Sequence, residues 1–142
     1  MKEGRSTEPE NRSAPGSPQE WLARAKGDLA LASAPLPSGG FYEDLCFHAQ
    51  QAAEKALKAI YQHHGWTFRY VHDLEELLAG LRDKGLTPPR GVGEAVRLTI
   101  YAFDSRYPGP GEPVTEEEFR HALDLAKAVV HWAESVLERH PT

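Results

Sequence analysis

Long apolar runs are absent from this sequence, and cysteine is nearly absent. No apolar stretch approaches the roughly 20 residues that a helix needs to span a bilayer, which argues against a membrane-spanning protein. The N-terminal residues are charged and rich in Ser, Pro and Gly, without the apolar core of a signal peptide. The one cysteine, Cys46, has no partner for an internal disulfide, in agreement with a reducing compartment. Together these absences predict a cytoplasmic protein.

Basic residues are fewer than acidic residues, and several common catalytic motifs are absent. The chain has 16 Lys and Arg against 21 Asp and Glu, a net charge of −5. General nucleic-acid binders need basic surface to displace counterions, so this charge argues against that class, although it allows a local basic patch. A glycine-rich phosphate loop, a Gly-x-Ser-x-Gly turn and a His or Cys pair at metal-ligand spacing are missing. We therefore predict neither a metal site nor a cofactor.

Helical periodicity is what the chain does contain. Residues 1–16 show no apolar period and read as a disordered leader, which leaves residues 17–142 as a single helical domain. Strand-like alternation is not evident in any segment. The length suits one domain with one core. The prediction is an all-α, up-and-down bundle of four to five helices.

Cap signals and Gly or Pro breaks set the helix boundaries. Capping-box spacings open the first and last helices, and a glycine at residue 65 ends the second. The fourth helix is predicted from about Val92 to Ser105. The five predicted helices begin near Ser17, Phe41, Asp73, Val92 and Thr115.

The last helix is apolar over more than one face. A helix of this kind must be covered by something. One explanation is that it packs between two neighbours within a single subunit. The other is a homodimer interface in which Trp132 is an anchor.

A polar stripe runs along helix two beside its apolar face. At 100° per residue a narrow arc holds Asp44, His48, Gln51, Lys55 and Gln62. The spacing of Asp44 to His48 allows a hydrogen bond that would orient the imidazole, and Lys55 adds a positive charge. Such a row could hold a phosphate, a base edge or a neighbouring helix, or it could be a solvated flank. Glu54 and Lys58 read as an ordinary surface ion pair.

Two further positions could contact a ligand. Arg106 and Tyr107 follow the predicted fourth helix, where the guanidinium could reach a phosphate and the ring could stack on a base. The alternative for Arg106 is a salt bridge to Asp104 or a contact with the C-terminal end of the helix. His72 precedes the N-terminus of helix three, where backbone amides attract anions; the alternative there is packing against the helix cap.

One string of residues carries a family resemblance. The segment His48-Ala-Gln-Gln-Ala-Ala-Glu-Lys-Ala-Leu-Lys, then Gly65, then His72-Asp73-Leu74, then Ser105-Arg106-Tyr107-Pro108, resembles the HEPN domain family of bacteria and archaea. The likeness covers about residues 21–137. It implies a bundle of four or five helices that pairs as a homodimer.

The same resemblance implies two kinds of function. Many members act with a small nucleotidyltransferase, as toxin and antitoxin or as a nucleotide-binding partner. Others are metal-independent ribonucleases with an Arg followed, after four to six residues, by a His. None of the arginines here has a histidine at that separation. The resemblance thus implies association with nucleotides, RNA or a nucleotidyltransferase, and we do not transfer the nuclease residues.

The sequence therefore favours a binding module over an enzyme. The candidate ligand-binding residues are His48, Gln51, Lys55, His72, Arg106 and Tyr107. Two alternatives stay open. The first is a ribonuclease with a non-standard site, and the second is a structural adaptor whose polar row only contacts a neighbouring helix.

Overall fold

The computed structural model describes residues 16–102 and 112–139. In these residues the chain forms α1 (Pro18–Ala32), α2 (Tyr42–His64), α3 (Leu74–Asp83), α4 (Arg90–Gly93), a 3₁₀ helix (Glu94–Ala102) and α5 (Glu116–Leu137), with no strand. The all-α prediction is confirmed. None of these helices combines the length and apolar character that a bilayer crossing requires. The leader proposed for residues 1–16 lies almost entirely outside the described residues.

The predicted caps are present at the helix ends. Ser17 Oγ accepts the backbone N–H of Glu20 at 3.1 Å. At α5, Thr115 and Glu118 accept one another's backbone N–H groups, which completes a capping box. Gly65 ends α2 in the left-handed conformation, with φ of 74°. These contacts satisfy amide groups that a helix leaves unpaired at its ends.

The fourth helix differs from its prediction. Only one α-helical turn forms, at Arg90–Gly93, and the chain then continues as a 3₁₀ helix to Ala102. Glycine and β-branched residues in this segment weaken the α-helix. Thr99 also has a structural role, since its hydroxyl accepts the N–H of Leu74 at 3.1 Å and ties the segment to the start of α3.

Helix α2 lies at the centre and packs on α1, α3, α5 and the 3₁₀ helix. Small side chains on its inner face let the neighbouring helices approach closely. The fully buried alanines of α2 are Ala49, Ala52, Ala53, Ala56 and Ala59. The broad apolar surface of α5 is covered within the one chain, and Trp132 is only 8% exposed. Trp132 is therefore a core residue, and the idea that it anchors a dimer is wrong.

The close approach between α2 and α3 depends on a glycine. The Tyr61 hydroxyl donates a buried hydrogen bond to Leu77 O at 2.7 Å. The hydroxyl oxygen of Tyr61 fills the space beside Gly80, so that a Cβ at residue 80 would overlap it. Any side chain at this position must displace Tyr61.

Cys46 is buried on the inner side of α2, as its position on the helical wheel predicts. Burial, with smaller contributions from Glu43 and Glu118, raises the pKa of the thiol from 9.0 to about 12, against the effect of a hydrogen bond with Tyr101. Since the thiolate is the reactive form, Cys46 is an inert core residue.

Gly80→Ala is expected to lower the free energy of unfolding by about 1–3 kcal/mol, because it overpacks a filled site. Urea denaturation of the variant measures this. The control is Gly27→Ala in α1, where nothing lies within 4 Å of the new Cβ. That change should stabilise by about 0.5–1 kcal/mol through the lower entropy of alanine. Equal effects of the two substitutions would contradict the packing described.

Native Cys46 is expected to resist alkylation by iodoacetamide at mildly alkaline pH, while the urea-unfolded chain reacts readily. The raised pKa also determines how the free energy of unfolding changes with pH. The folded state holds the thiol proton more tightly than the unfolded state, so the stabilisation from this group is complete below pH 9.0 and is lost as the pH rises toward about 12. Alkylation of the folded protein at the rate of the unfolded chain would refute the assignment.

Candidate functional site

The polar stripe of α2 contacts α1 at Asp28, a residue that the sequence analysis did not identify. Asp28 of α1 is buried. Its Oδ2 lies 2.6 Å from Lys55 Nζ, and its Oδ1 lies 3.1 Å from His48 Nδ1. Both basic side chains remain partly exposed, at 29% for Lys55 and 33% for His48. We call these three residues the Asp28 cluster.

The carboxylate partner of His48 is therefore Asp28, and the interpretation that used Asp44 is wrong. Asp44 is exposed in the first turn of α2, where a negative charge is favourable near the positive end of the helix dipole. Asp28 reaches His48 from the neighbouring helix, a contact that spacing along α2 cannot reveal.

A second group of polar residues lies on α2 one step around the helix. Gln50, Glu54 and Lys58 recur every four residues and are nearly or fully buried. Lys58 Nζ lies 2.7 Å from Glu54 Oε2, and both residues are only 4% exposed. The reading of Glu54 and Lys58 as an ordinary surface pair is thus wrong. We call these three residues the buried ladder.

The buried ladder holds the connector between α2 and α3. Glu54 Oε1 lies 2.9 Å from His72 Nδ1, and it also accepts from Gln50 Nε2 at 3.1 Å. Gln50 Nε2 donates in addition to the backbone carbonyl of His72, at 3.2 Å. One acid of α2 therefore fixes both the ring and, through Gln50, the main chain of a residue beyond the helix.

The ammonium group of Lys58 is surrounded by aromatic rings as well as by its acid. Its Nζ lies 5.6 Å from the ring centroid of Trp21, 5.4 Å from that of Phe68 and 5.3 Å from that of Tyr70. A cation at such distances is attracted by the negative face of each ring. Two of the rings belong to the connector, so Lys58 anchors it at a second place.

The other candidate residues are divided between these groups. Gln51 joins the stripe to the buried ladder, since its Nε2 donates to Gln50 Oε1 at 2.8 Å. His72 belongs to the buried ladder's contacts and keeps a side chain that is 53% exposed. Arg106 and Tyr107 lie outside the described residues, so their place relative to the stripe remains a prediction.

The arrangement can present positive and hydrogen-bonding groups in fixed orientations. A carboxylate that accepts from one imidazole nitrogen fixes the ring and directs the other nitrogen outward. Within residues 16–102 and 112–139 no cluster of His, Cys, Asp and Glu has the geometry of a metal site. The partly exposed groups of this face are the ammonium of Lys55 and the imidazole of His48, both held by Asp28.

The residues that sequence reasoning missed are Asp28, Gln50, Glu54 and Lys58. A signal for three of them existed, because residues 50, 54 and 58 share one stripe of α2. The burial of Lys58 was not visible, because the rings around its ammonium group come from α1 and from the connector. For Asp28 the signal was its position three residues after Ala25 and four before Ala32, on the buried face of α1.

Comparison with known proteins agrees with this architecture. The family model for the HEPN domain matches residues 18–136. The crystal structure of TT1696 from Thermus thermophilus is similar, with a TM-score of 0.74 and 34% identity over 85% of this chain and 98% of that one. ST0689, an archaeal HEPN homologue, has a TM-score of 0.69 and 30% identity over the same shares. No curated protein matches the chain.

This chain belongs to the HEPN domain family, as the extent of the family match and the identity to a solved structure show. The resemblance inferred from the motif on helix two is confirmed, and so is the helical-bundle fold.

Glu54→Gln is expected to lower the free energy of unfolding by about 3–5 kcal/mol, because it leaves the buried Lys58 ammonium without its counter-charge. Chemical denaturation measures the loss. Glu20→Gln is the matched control, since Glu20 forms an i,i+4 pair with the exposed Arg24; it should cost less than about 1 kcal/mol.

A double variant separates lost charge balance from lost packing. Glu54→Gln combined with Lys58→Met removes both charges, so it should be more stable than Glu54→Gln alone. A double variant that is less stable than Glu54→Gln would contradict the buried ion pair.

Proposed function

We propose that this HEPN-family chain is a binding module for a nucleotide or for RNA and that it acts with a nucleotidyltransferase partner in a toxin–antitoxin type of system. The ligand contacts are His48, Gln51, Lys55 and His72, together with Arg106 and Tyr107 from the segment after the 3₁₀ helix. The observation that carries the proposal is that buried acids hold partly exposed basic side chains along one side of α2.

Stability alone is a weak reason for such an arrangement. Replacing buried ion pairs by well-packed apolar residues is often neutral or stabilising, and natural sequences tend to break packing rules at functional sites. Here Asp28 and Glu54 are both buried, and each holds a histidine whose side chain reaches solvent. A pre-oriented ring loses less entropy on binding a phosphate or a base edge than a free one does.

The partner half of the proposal rests on family membership. The chain supplies a helical binding surface, and a nucleotidyltransferase would supply the transfer chemistry. Pairing as a homodimer is part of the same proposal. In this arrangement the module's task is recognition, and the transfer reaction belongs to the partner.

One observation favours a ribonuclease as the second candidate. Glu54 and His72 form a carboxylate–imidazole pair at 2.9 Å with the ring half-exposed, an arrangement that suits general acid–base catalysis. Metal-independent cleavage of RNA in the presence of a chelator, abolished by His72→Gln or by Arg106→Ala, would support this candidate. RNA left intact at high protein concentration would exclude it.

Calorimetry of the full chain against a panel of nucleotides and short RNAs tests the ligand half. We expect measurable heat for at least one ligand and a rise in melting temperature, because a ligand bound only by the folded state stabilises it. Lys55→Gln and His72→Gln should each weaken binding about tenfold or more, the loss expected for a charge-assisted hydrogen bond.

Lys26→Gln is the control for these variants. Lys26 is an exposed lysine of α1 that pairs with Glu134 of α5, so its loss should leave binding unchanged. The structural-adaptor alternative predicts a different pattern, in which Lys55→Gln changes stability and no ligand produces heat. Co-purification with the product of a neighbouring gene tests the partner half, and isolation of the chain alone would count against it.

A further inference from the structure

Tyr70 is an exposed aromatic ring that is nevertheless anchored. The residue is 81% exposed. Its ring lies above Lys58 Nζ at 5.3 Å and meets the edge of Phe68 with the centroids 5.4 Å apart. These two contacts favour one orientation of the ring over those open to an exposed tyrosine without neighbours.

The backbone explains why Tyr70 projects from the connector. The N–H of Val71 donates to Arg69 O at 3.0 Å, which closes a three-residue γ-turn with Tyr70 at its apex. Gln50 and Glu54 hold His72 immediately after this turn. The turn is therefore fastened by Lys58 on one side and by the acid and amide of the buried ladder on the other.

The position of Lys58 decides what the outer face of the ring can attract. The cation lies on the inner side of the ring and is itself 4% exposed. When one face of a ring already contacts a cation, binding of a second cation to the other face is less favourable, because both cations are attracted by the same π-electron density. A neutral aromatic surface such as a nucleobase has no such conflict.

Arg69 provides a phosphate contact beside the ring. Its side chain is 77% exposed, and its nearest acid, Glu76, is 3.4 Å away, longer than a strong charge-assisted hydrogen bond. A planar guanidinium with this freedom can bind a phosphate through two donors. Glu76 competes for it and limits the affinity.

We infer that Tyr70 is the stacking site for an unpaired base of single-stranded RNA, with Arg69 on the adjacent phosphate. The inference rests on the proposed function, because it names the class of ligand and adds two residues to its contacts. A single strand matches the arrangement better than a mononucleotide does, since the half-exposed ring of His72 lies two residues beyond Tyr70 and offers a contact beyond one base and its phosphate. The fixed ring also reduces the entropy lost on binding.

The test is a fluorescence titration of the full chain with a short oligoadenylate that carries one 2-aminopurine, whose emission falls on stacking. Tyr70→Ala is expected to weaken binding by about 5- to 150-fold, the range found for loss of one base–aromatic stack, and to remove the quenching. Tyr70→Phe keeps the ring and should bind within about twofold of wild type.

Salt dependence separates the two residues. Arg69→Ala should reduce the slope of log affinity against log salt by about 0.7, the value for one phosphate contact on a single strand, whereas Tyr70→Ala should leave the slope unchanged. Glu76→Gln should tighten binding, because it releases Arg69 from its competing acid.

Phe41→Ala is the control, since Phe41 is another exposed aromatic residue, 60% exposed at the start of α2. Its RNA binding should equal that of the wild type.

Unchanged RNA binding in Tyr70→Ala, with a melting temperature that shows a folded protein, would overturn this inference and leave the proposed function standing. Equal Tyr70-dependent binding of AMP would overturn the choice of a single strand. If Tyr70→Ala lost the nucleotidyltransferase but still bound RNA, the face would be a protein contact and the inference would fail too. If the wild type binds no nucleotide or RNA, the proposed function fails as well.

Discussion

The contacts of the Glu54 carboxylate are the constraint on which the connector between α2 and α3 depends. The carboxylate lies in a nearly dry position on the central helix, yet it contacts Lys58, Gln50 and the ring of His72. An isolated charge there would be very unfavourable, so every one of its partners is under strong constraint. Because His72 belongs to the connector, the constraint on Glu54 extends to the segment between α2 and α3.

Asp28 repeats this arrangement on the other side of the stripe. It is buried between α1 and α2, and it accepts from Lys55 and His48. In both places a buried carboxylate contacts a partly exposed histidine. Such an arrangement costs some stability relative to an apolar interior, but it holds partly exposed polar groups in fixed orientations.

The bundle could be predicted well from local patterns, because caps, breaks and periodicity act within a few residues. Ser17, Gly65 and Thr115 end or begin helices for reasons that spacing reveals. The 3₁₀ helix was missed, since its conformation follows from glycine and β-branched residues combined with the long-range contact of Thr99. Family membership was identified from the motif on α2.

The site was predicted only in part, because its chemistry depends on contacts between distant segments. The stripe of His48, Gln51 and Lys55 was identified, but the acid that holds it comes from another helix. Spacing along α2 suggested that Lys58 is a surface residue. In the structure, three aromatic rings from outside α2 surround its ammonium group. Periodicity can place a residue on a face, and only tertiary packing decides what covers that face.

The proton NMR shift of the Lys58 ε-methylene group reports directly on whether the connector is anchored on α2. Three rings within 5.3 to 5.6 Å of the ammonium should move that resonance well upfield of the one from the exposed Lys26, and loss of the Glu54 charge should reduce the difference. A Lys58 resonance at the position of an ordinary solvated lysine would show that the connector is not anchored on α2 and that Lys58 is not buried among these rings.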